Sequence, residues 1–163
     1  MILAYHLGTS ARAATFDRNQ RFLNRVTNGQ IVGVVSTFTV AECIAVLAAA
    51  YAERDGAAPT AKQLGEARNR IEGFVRAAGI EMQDADVLCQ SPEGRANAFA
   101  RVMQIALSTR PSRGRDGRWR NVGGADALHI AFAERSDSDA LATFDEGFRN
   151  MRSPVSLMLV QEA

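Results

Sequence analysis

The stretch Gly124-Ala125-Asp126-Ala127-Leu128-His129-Ile130-Ala131, followed by Leu141-Ala142-Thr143-Phe144-Asp145-Glu146-Gly147-Phe148, decides how the chain is read. An acidic residue opens a helix pattern of small and apolar residues, and a second acidic residue closes a short apolar strand pattern. Nineteen positions separate Asp126 from Asp145, about what one helix, a turn and a strand require. The pattern predicts a helix over 125–135, a buried strand over 140–144 and a last strand over 155–160, after Pro154. In open parallel sheets, ligand-handling groups gather beyond the carboxyl ends of the strands. Asp145 therefore stands where chemistry is expected.

Moving outward from this stretch, strand and helix patterns alternate along the chain. Ile2–Leu7 is short, apolar and turn-bounded, and Thr9 and Ser10 are good caps for a helix from about Ala11. The segment Phe16–Arg25 is amphipathic and ends at the turn Asn28-Gly29. Ile31–Val35 reads as a second buried strand. Ser36 to Thr39 then cap an Ala-rich helix reaching Tyr51 or Arg54, with Asp55-Gly56 and Pro59 as breakers. Thr60 caps the next helix, in which Leu64, Ala67, Ile71, Phe74 and Val75 recur at helical spacing before Gly79. A third strand falls at Ile80–Met82 or at Val87-Leu88. A helix over 93–108 follows, its apolar face formed by Phe99, Val102, Met103, Ile105 and Ala106, and residues 110–121 read as a loop. These elements predict one α/β domain over residues 1–163, a three-layer α/β/α sandwich around a mainly parallel sheet.

Composition narrows the setting. The chain has 163 residues, 47% of them apolar, which suffices for a core. Eighteen arginines accompany a single lysine, Lys62, yet the net charge is only +1, so nucleic-acid affinity would have to come from local clustering. Cys43 and Cys89 have neither metal-binding nor disulfide-framework spacing and read as reduced core thiols. No apolar run reaches the length of a membrane helix, and the N-terminus lacks a basic leader. These features lead us to expect a cytoplasmic protein.

Three carboxylates fall at matching places: Glu42 in the helix after the second strand, Asp126 in the first turn of its helix, and Asp145 at a strand end. Singly each has an ordinary explanation, as a solvated helix residue, a helix-dipole partner and a turn former. As a set they suggest a cation site, because grouped carboxylates are stable mainly when a cation neutralises them, and oxygen-only ligands suit Mg²⁺ or Mn²⁺. His129 and His6 read as hydrogen-bonded core or edge residues. No nucleophile elbow or phosphate-binding glycine loop is present, and Gly123-Gly124 reads as a flexible lead into the Asp126 helix. The segment Arg110–Arg120 carries five arginines and Trp119; Arg113, Arg115, Arg118, Trp119 and Arg120 are candidate contacts to phosphates and an unpaired base, against the alternative of a solvated loop.

The chain resembles PIN-domain ribonucleases, and among these it is most similar to VapC-type toxins. The resemblance rests on the opening strand with Gly8-Thr9-Ser10, the Ser36…Glu42 segment, the Asp126 helix and Thr143-Phe144-Asp145…Phe148, in that order along nearly the whole chain. It implies Mg²⁺- or Mn²⁺-dependent hydrolysis of RNA by four acids, three of them matched here by Glu42, Asp126 and Asp145. The fourth, an Asp directly before Thr-Ser, is Gly8 in this chain, while Thr9 matches the supporting hydroxyl. With one anionic ligand missing, activity should be impaired or absent. Asp17 and Glu146 are poorly placed to compensate. The resemblance further implies a cognate antitoxin and a homodimer; Ala45–Tyr51 is apolar enough to serve an interface, and core burial explains it as well. Two alternatives stand beside it: an inactive RNA- or antitoxin-binding pseudoenzyme on the same fold, and an unrelated phosphoacceptor protein, which would want a lysine near its acids.

Overall fold

Helices in this chain begin and end where side chains or glycines meet the unpaired terminal backbone groups. The computed structural model describes residues 13–84, 92–108, 112–113, 117, 119–120, 122–143, 145–151 and 153–160. The chain divides into two units, residues 1–83 together with Ala163, and residues 84–162.

In the first unit, helix α1 (Ala13–Thr27) buries Asn19, Leu23 and Val26 at helical spacing. Strand β1 (Val34–Ser36) passes without a connecting residue into helix α2 (Thr37–Asp55). Ser36 ends the strand and caps the helix: its backbone is extended, at φ −78° and ψ 152°, and its Oγ accepts the Thr39 N–H at 3.1 Å. Helix α3 (Ala61–Ala77) opens with a reciprocal box, in which Thr60 Oγ1 accepts the Gln63 N–H and Gln63 Oε1 accepts the Thr60 N–H. Val40, Cys43 and Leu47 of α2 meet Ala67, Ile71 and Val75 of α3, with Val35, Tyr51, Phe74 and Ile80 around them.

The end of α3 aims the chain at the sheet. Ile80 N–H donates to Val75 O at 3.0 Å and Gly79 N–H to Arg76 O at 3.2 Å, while Gly79 takes a left-handed φ of 67° that costs a residue without Cβ little. This paired closure turns the backbone into strand β2 (Glu81–Gln83), which runs parallel to β1 with Val35 opposite Met82. Just before β1, Gly33 O accepts the Glu81 N–H at 2.8 Å. A Cβ built on Gly33 would lie 2.9 Å from Val26 Cγ1 and 3.3 Å from Ile80 Cγ1, so only hydrogen fits there.

In the second unit, helix α4 (Pro92–Ser108) packs on helix α5 (Gly124–Arg135). Strand β5 (Ala140–Thr143) runs parallel to strand β6 (Ser156–Leu159), the two joined through a 3₁₀ turn (Glu146–Asn150). The buried side of α5 is Ala127, Ile130, Ala131, Phe132 and Ala133. Small residues at 127, 131 and 133 let neighbouring backbone approach closely.

The alternation of helices with parallel strand pairs is that of an α/β chain. It differs from the sequence expectation in four places. The described strands pair two by two, and no three-layer sandwich about one central sheet is displayed; the strand expected at 2–7 lies outside the described residues. The second strand starts at Val34, because the close approach at Gly33 precedes it and Ser36 still belongs to the ladder. Within the loop expected over 110–121, strands β3 (Ser112–Arg113) and β4 (Trp119–Arg120) form a short antiparallel ladder. Such a ladder needs only backbone pairing and a turn, here with Gly117 at φ 77°, and leaves no apolar period to read. The apolar face assigned to α4 is also rotated. Ala98 and Ile105 are buried, whereas Phe99 is 69% and Met103 43% exposed. Arg101 completes the inward stripe with Ala98 and Ile105, and its partner on α5 makes an arginine compatible with that face.

Two glycine substitutions should act with opposite sign. Gly33→Ala forces a methyl against the stiff Val26 side chain and should cost about 1–3 kcal/mol. Gly65→Ala, in the exposed interior of α3 where a Cβ meets nothing within 4 Å, should add about 0.5–1 kcal/mol. Urea denaturation of both variants checks the pair; two shifts of the same sign would contradict the packing described here.

Candidate acidic site

The residues singled out by sequence stand at strand ends and helix starts. In the first unit, the carboxyl end of β1 leads into α2, where Ser36 Oγ also lies 2.9 Å from Thr39 Oγ1. Glu42 follows in the second turn, half-buried, next to the buried Val40 and Cys43 that hold α2 on α3. The apolar neighbours thus fix the helix face, and Glu42 sits at its margin.

In the second unit, two acids open two successive helical elements. Gly123 has an extended backbone and no side chain to cap α5, so Asp126 reaches back and accepts the Gly123 N–H on Oδ2 at 2.9 Å. Asp145 caps the 3₁₀ turn after β5, its Oδ1 accepting the Gly147 N–H at 2.7 Å. The Asp145 N–H in turn donates to Oγ1 of the buried Thr143 at 3.1 Å. Both carboxylates are half-buried and both lie at positive ends of backbone dipoles, which suits anionic groups. A carboxylate has about four lone-pair sites, and one N–H occupies a fraction of them.

A second set of contacts ties α5 in place. Arg101 of α4 grips Glu134 of α5 with both arms, Nε to Oε2 at 2.8 Å and Nη2 to Oε1 at 2.6 Å. Ser153 Oγ donates to the same Oε1 at 2.7 Å and accepts the Val155 N–H at 3.1 Å. The side chains are 32% and 13% exposed for Arg101 and Glu134, so the pair is half-buried and the carboxylate is its more sheltered member. The Arg101 hydrogen bond, opposed by burial and aided by Ser153, holds the Glu134 carboxyl below its ordinary value. A shallow cavity of about 340 Å³ between α4 and α5 is lined by Asn97, Ala98, Arg101, Ala131, Glu134 and Arg135. Arg101 and Glu134 neutralise each other at its centre.

For a divalent cation the donor types are suitable, since Glu42, Asp126 and Asp145 offer hard oxygens. Among the described residues, no three His, Cys, Asp or Glu side chains are grouped to hold a metal ion. Asp126 and Asp145 belong to one unit and Glu42 to the other. Gly8, Thr9, Arg115, Arg118, His6 and Cys89 lie outside the described residues. Cys43 is buried in the core between α2 and α3, as expected of a core residue. Asp17 is exposed on α1. In the short ladder, Arg113 pairs with Trp119 and Ser112 with Arg120. Sequence reading missed Glu134, Arg101 and Ser153. The one signal was an arginine at 101 on the i, i+3, i+7 stripe with Ala98 and Ile105.

One acid in the first turn of a helix, Asp126, and one capping the turn after a parallel strand, Asp145, in a chain of alternating helices and strands, describe an α/β protein with half-buried carboxylates at element ends. The chain matches the PIN domain family over residues 2–153, and it belongs to that family, whose members are generally nucleases. That match runs through both units. No curated protein and no solved structure matches the chain. No described helix is long and apolar enough to cross a membrane.

The ion pair at Glu134 has a measurable consequence. A glutamate whose folded-state pKa is depressed stabilises the fold fully above its ordinary value, here 4.5, and loses that contribution as pH falls through the folded-state value. Glu134→Gln should therefore cost about 1–3 kcal/mol at neutral pH, with the gap to the parent closing in acid below 4.5. Urea titrations across that range measure it; a gap that stays constant would mean the carboxylate charge is not the stabilising element.

Proposed function

We propose that the chain is an endoribonuclease of the VapC toxin type, one PIN domain over residues 1–163 with a three-layer α/β/α architecture, whose catalytic acids are Glu42, Asp126 and Asp145. The observation that carries this reading is the family match over residues 2–153 combined with Asp126 opening α5 and Asp145 closing β5. Mg²⁺ or Mn²⁺ is the proposed cofactor. When bound, such an ion activates water and stabilises charge on the scissile phosphate. The chain's own contribution is to hold two carboxylates at helix starts, with Thr143 fixing the backbone of Asp145.

Gly8 occupies the position of the fourth acid, with Thr9 as its supporting hydroxyl, and this chain is proposed to be impaired or inactive for that reason. Mg²⁺ tolerates imperfect geometry poorly, so one lost anionic ligand is costly. RNA would be held by the arginine-rich segment, with Arg113, Arg115, Arg118 and Arg120 on phosphates and Trp119 stacking on a base. A cognate antitoxin, a homodimer and a cytoplasmic location complete the reading. The same Gly8 favours a second reading, a PIN-fold pseudoenzyme that binds RNA or antitoxin without cutting; the capping bonds of Asp126 and Asp145 give those acids a structural use in either case.

Restoring the acid separates the two. Gly8→Asp should raise Mn²⁺-dependent RNA cleavage at least tenfold over the chain as written, since ligand-shell changes act on this scale. Asp126→Asn or Asp145→Asn in that background should abolish it. Cleavage by the Gly8 form equal to that of Gly8→Asp would refute the impairment, and silence from both with RNA binding intact would favour the pseudoenzyme.

A further inference from the structure

Helix α5 carries Asp126 in its first turn and Glu134 eight residues later, near its other end. At 1.5 Å per residue the two are about 12 Å apart along the axis, so a tilt of about 5° about Glu134 moves the Asp126 backbone by about 1 Å. Metal–ligand distances tolerate about 0.2 Å. What fixes the far end of α5 therefore matters to any ligand at its near end.

The fixing contacts form an unbroken path to Asp145. Arg101 holds both oxygens of Glu134, and Ser153 Oγ donates to one of them. Ser153 also accepts the Val155 N–H, immediately before β6 begins at Ser156. Strand β6 pairs in parallel with β5, Leu159 opposite Thr143, and the Val160 N–H donates to Thr143 O at 3.0 Å. The Thr143 hydroxyl accepts the Asp145 N–H. One end of the path is thus rigidly joined to Asp126 through α5, and the other ends on the backbone of Asp145.

We propose that Arg101, Glu134 and Ser153 are positioning residues that set the separation of Asp126 and Asp145 by locking helix α5 to the β5–β6 pair. The proposal rests on the reading of those two aspartates as ligands of a divalent cation. Two carboxylates on separately anchored elements can share one ion only if both anchors are stiff. The two-armed grip of Arg101 gives direction as well as attraction, and the Ser153 bond carries that constraint onto the strand.

Titration with Mn²⁺ alone, followed by loss of the free-ion paramagnetic resonance signal, tests it on the full chain, as written and as Gly8→Asp, at a temperature where circular dichroism shows every variant folded. Glu134→Gln should weaken Mn²⁺ binding about tenfold, the scale of residues that orient metal ligands. Ser153→Ala should weaken it severalfold while leaving the Arg101–Glu134 pair, and Arg101→Lys, which keeps the charge but loses the two-armed grip, should also weaken it. Glu72→Gln, which removes the Arg68–Glu72 pair of the first unit, should leave Mn²⁺ binding unchanged. A purely structural role predicts parent-like affinity for every folded variant, and that result would overturn the proposal while Asp126→Asn still abolished binding. Parent-like binding by Asp126→Asn, or no Mn²⁺ binding in either background, would overturn the ligand reading and the proposal with it.

Discussion

A helix that opens at the end of a strand exposes backbone N–H groups that no earlier turn can pair, and the rest of this structure is arranged around meeting them. Ser36 does so for α2, Asp126 for the start of α5, and Asp145 for the turn after β5. The connection from β1 to α2 has no spare residue, so the capping group must sit at the strand's own terminus. The constraint places oxygen-bearing side chains at the carboxyl ends of β1 and β5, in Ser36 and Asp145, and at the start of α5, in Asp126. These are positions where the backbone already favours negative charge.

The capping bonds explain why an ordinary and a functional reading of the same aspartates are both reasonable from sequence. Asp126 as an N-terminal helix residue and Asp145 as a turn former are both seen in the structure. Neither role excludes a ligand role, because a cap consumes little of a carboxylate's accepting capacity. The family membership adds what the capping geometry alone does not: a reason to ask about hydrolysis of nucleic acid.

Much of the local structure was legible. Apolar spacing located α3 and the strand at 140–143 closely, and Thr60, Gly79 and Ser36 announced their roles through side-chain type. Periodicity failed where a half-buried, paired charge stood on an apolar stripe. Arg101 looks like a solvent residue in the sequence, and only its partner thirty-three positions on, Glu134, makes its inward orientation affordable. The short ladder of Ser112–Arg113 with Trp119–Arg120 was invisible for a related reason. Two-residue strands are held by backbone bonds, and side-chain patterns do not encode them. The parallel pairs were anticipated as elements, but their two-by-two pairing depends on contacts between distant segments, which no local window contains.

The registers of the two parallel pairs also set the entropic cost of closing each one. Pairing Ala140 with Ser156 closes a loop of sixteen residues, while pairing Val34 with Glu81 closes one of forty-seven. The entropic difference is about 1 kcal/mol, and it falls on the pair whose crossover must first build two helices. Strands β5 and β6 are therefore placed to meet early, carrying Thr143 and the Asp145 turn into register. The β1–β2 pair carries the larger closure entropy, which the apolar seam between α2 and α3 offsets. The Asp145 turn thus belongs to the pair with the smaller closure entropy.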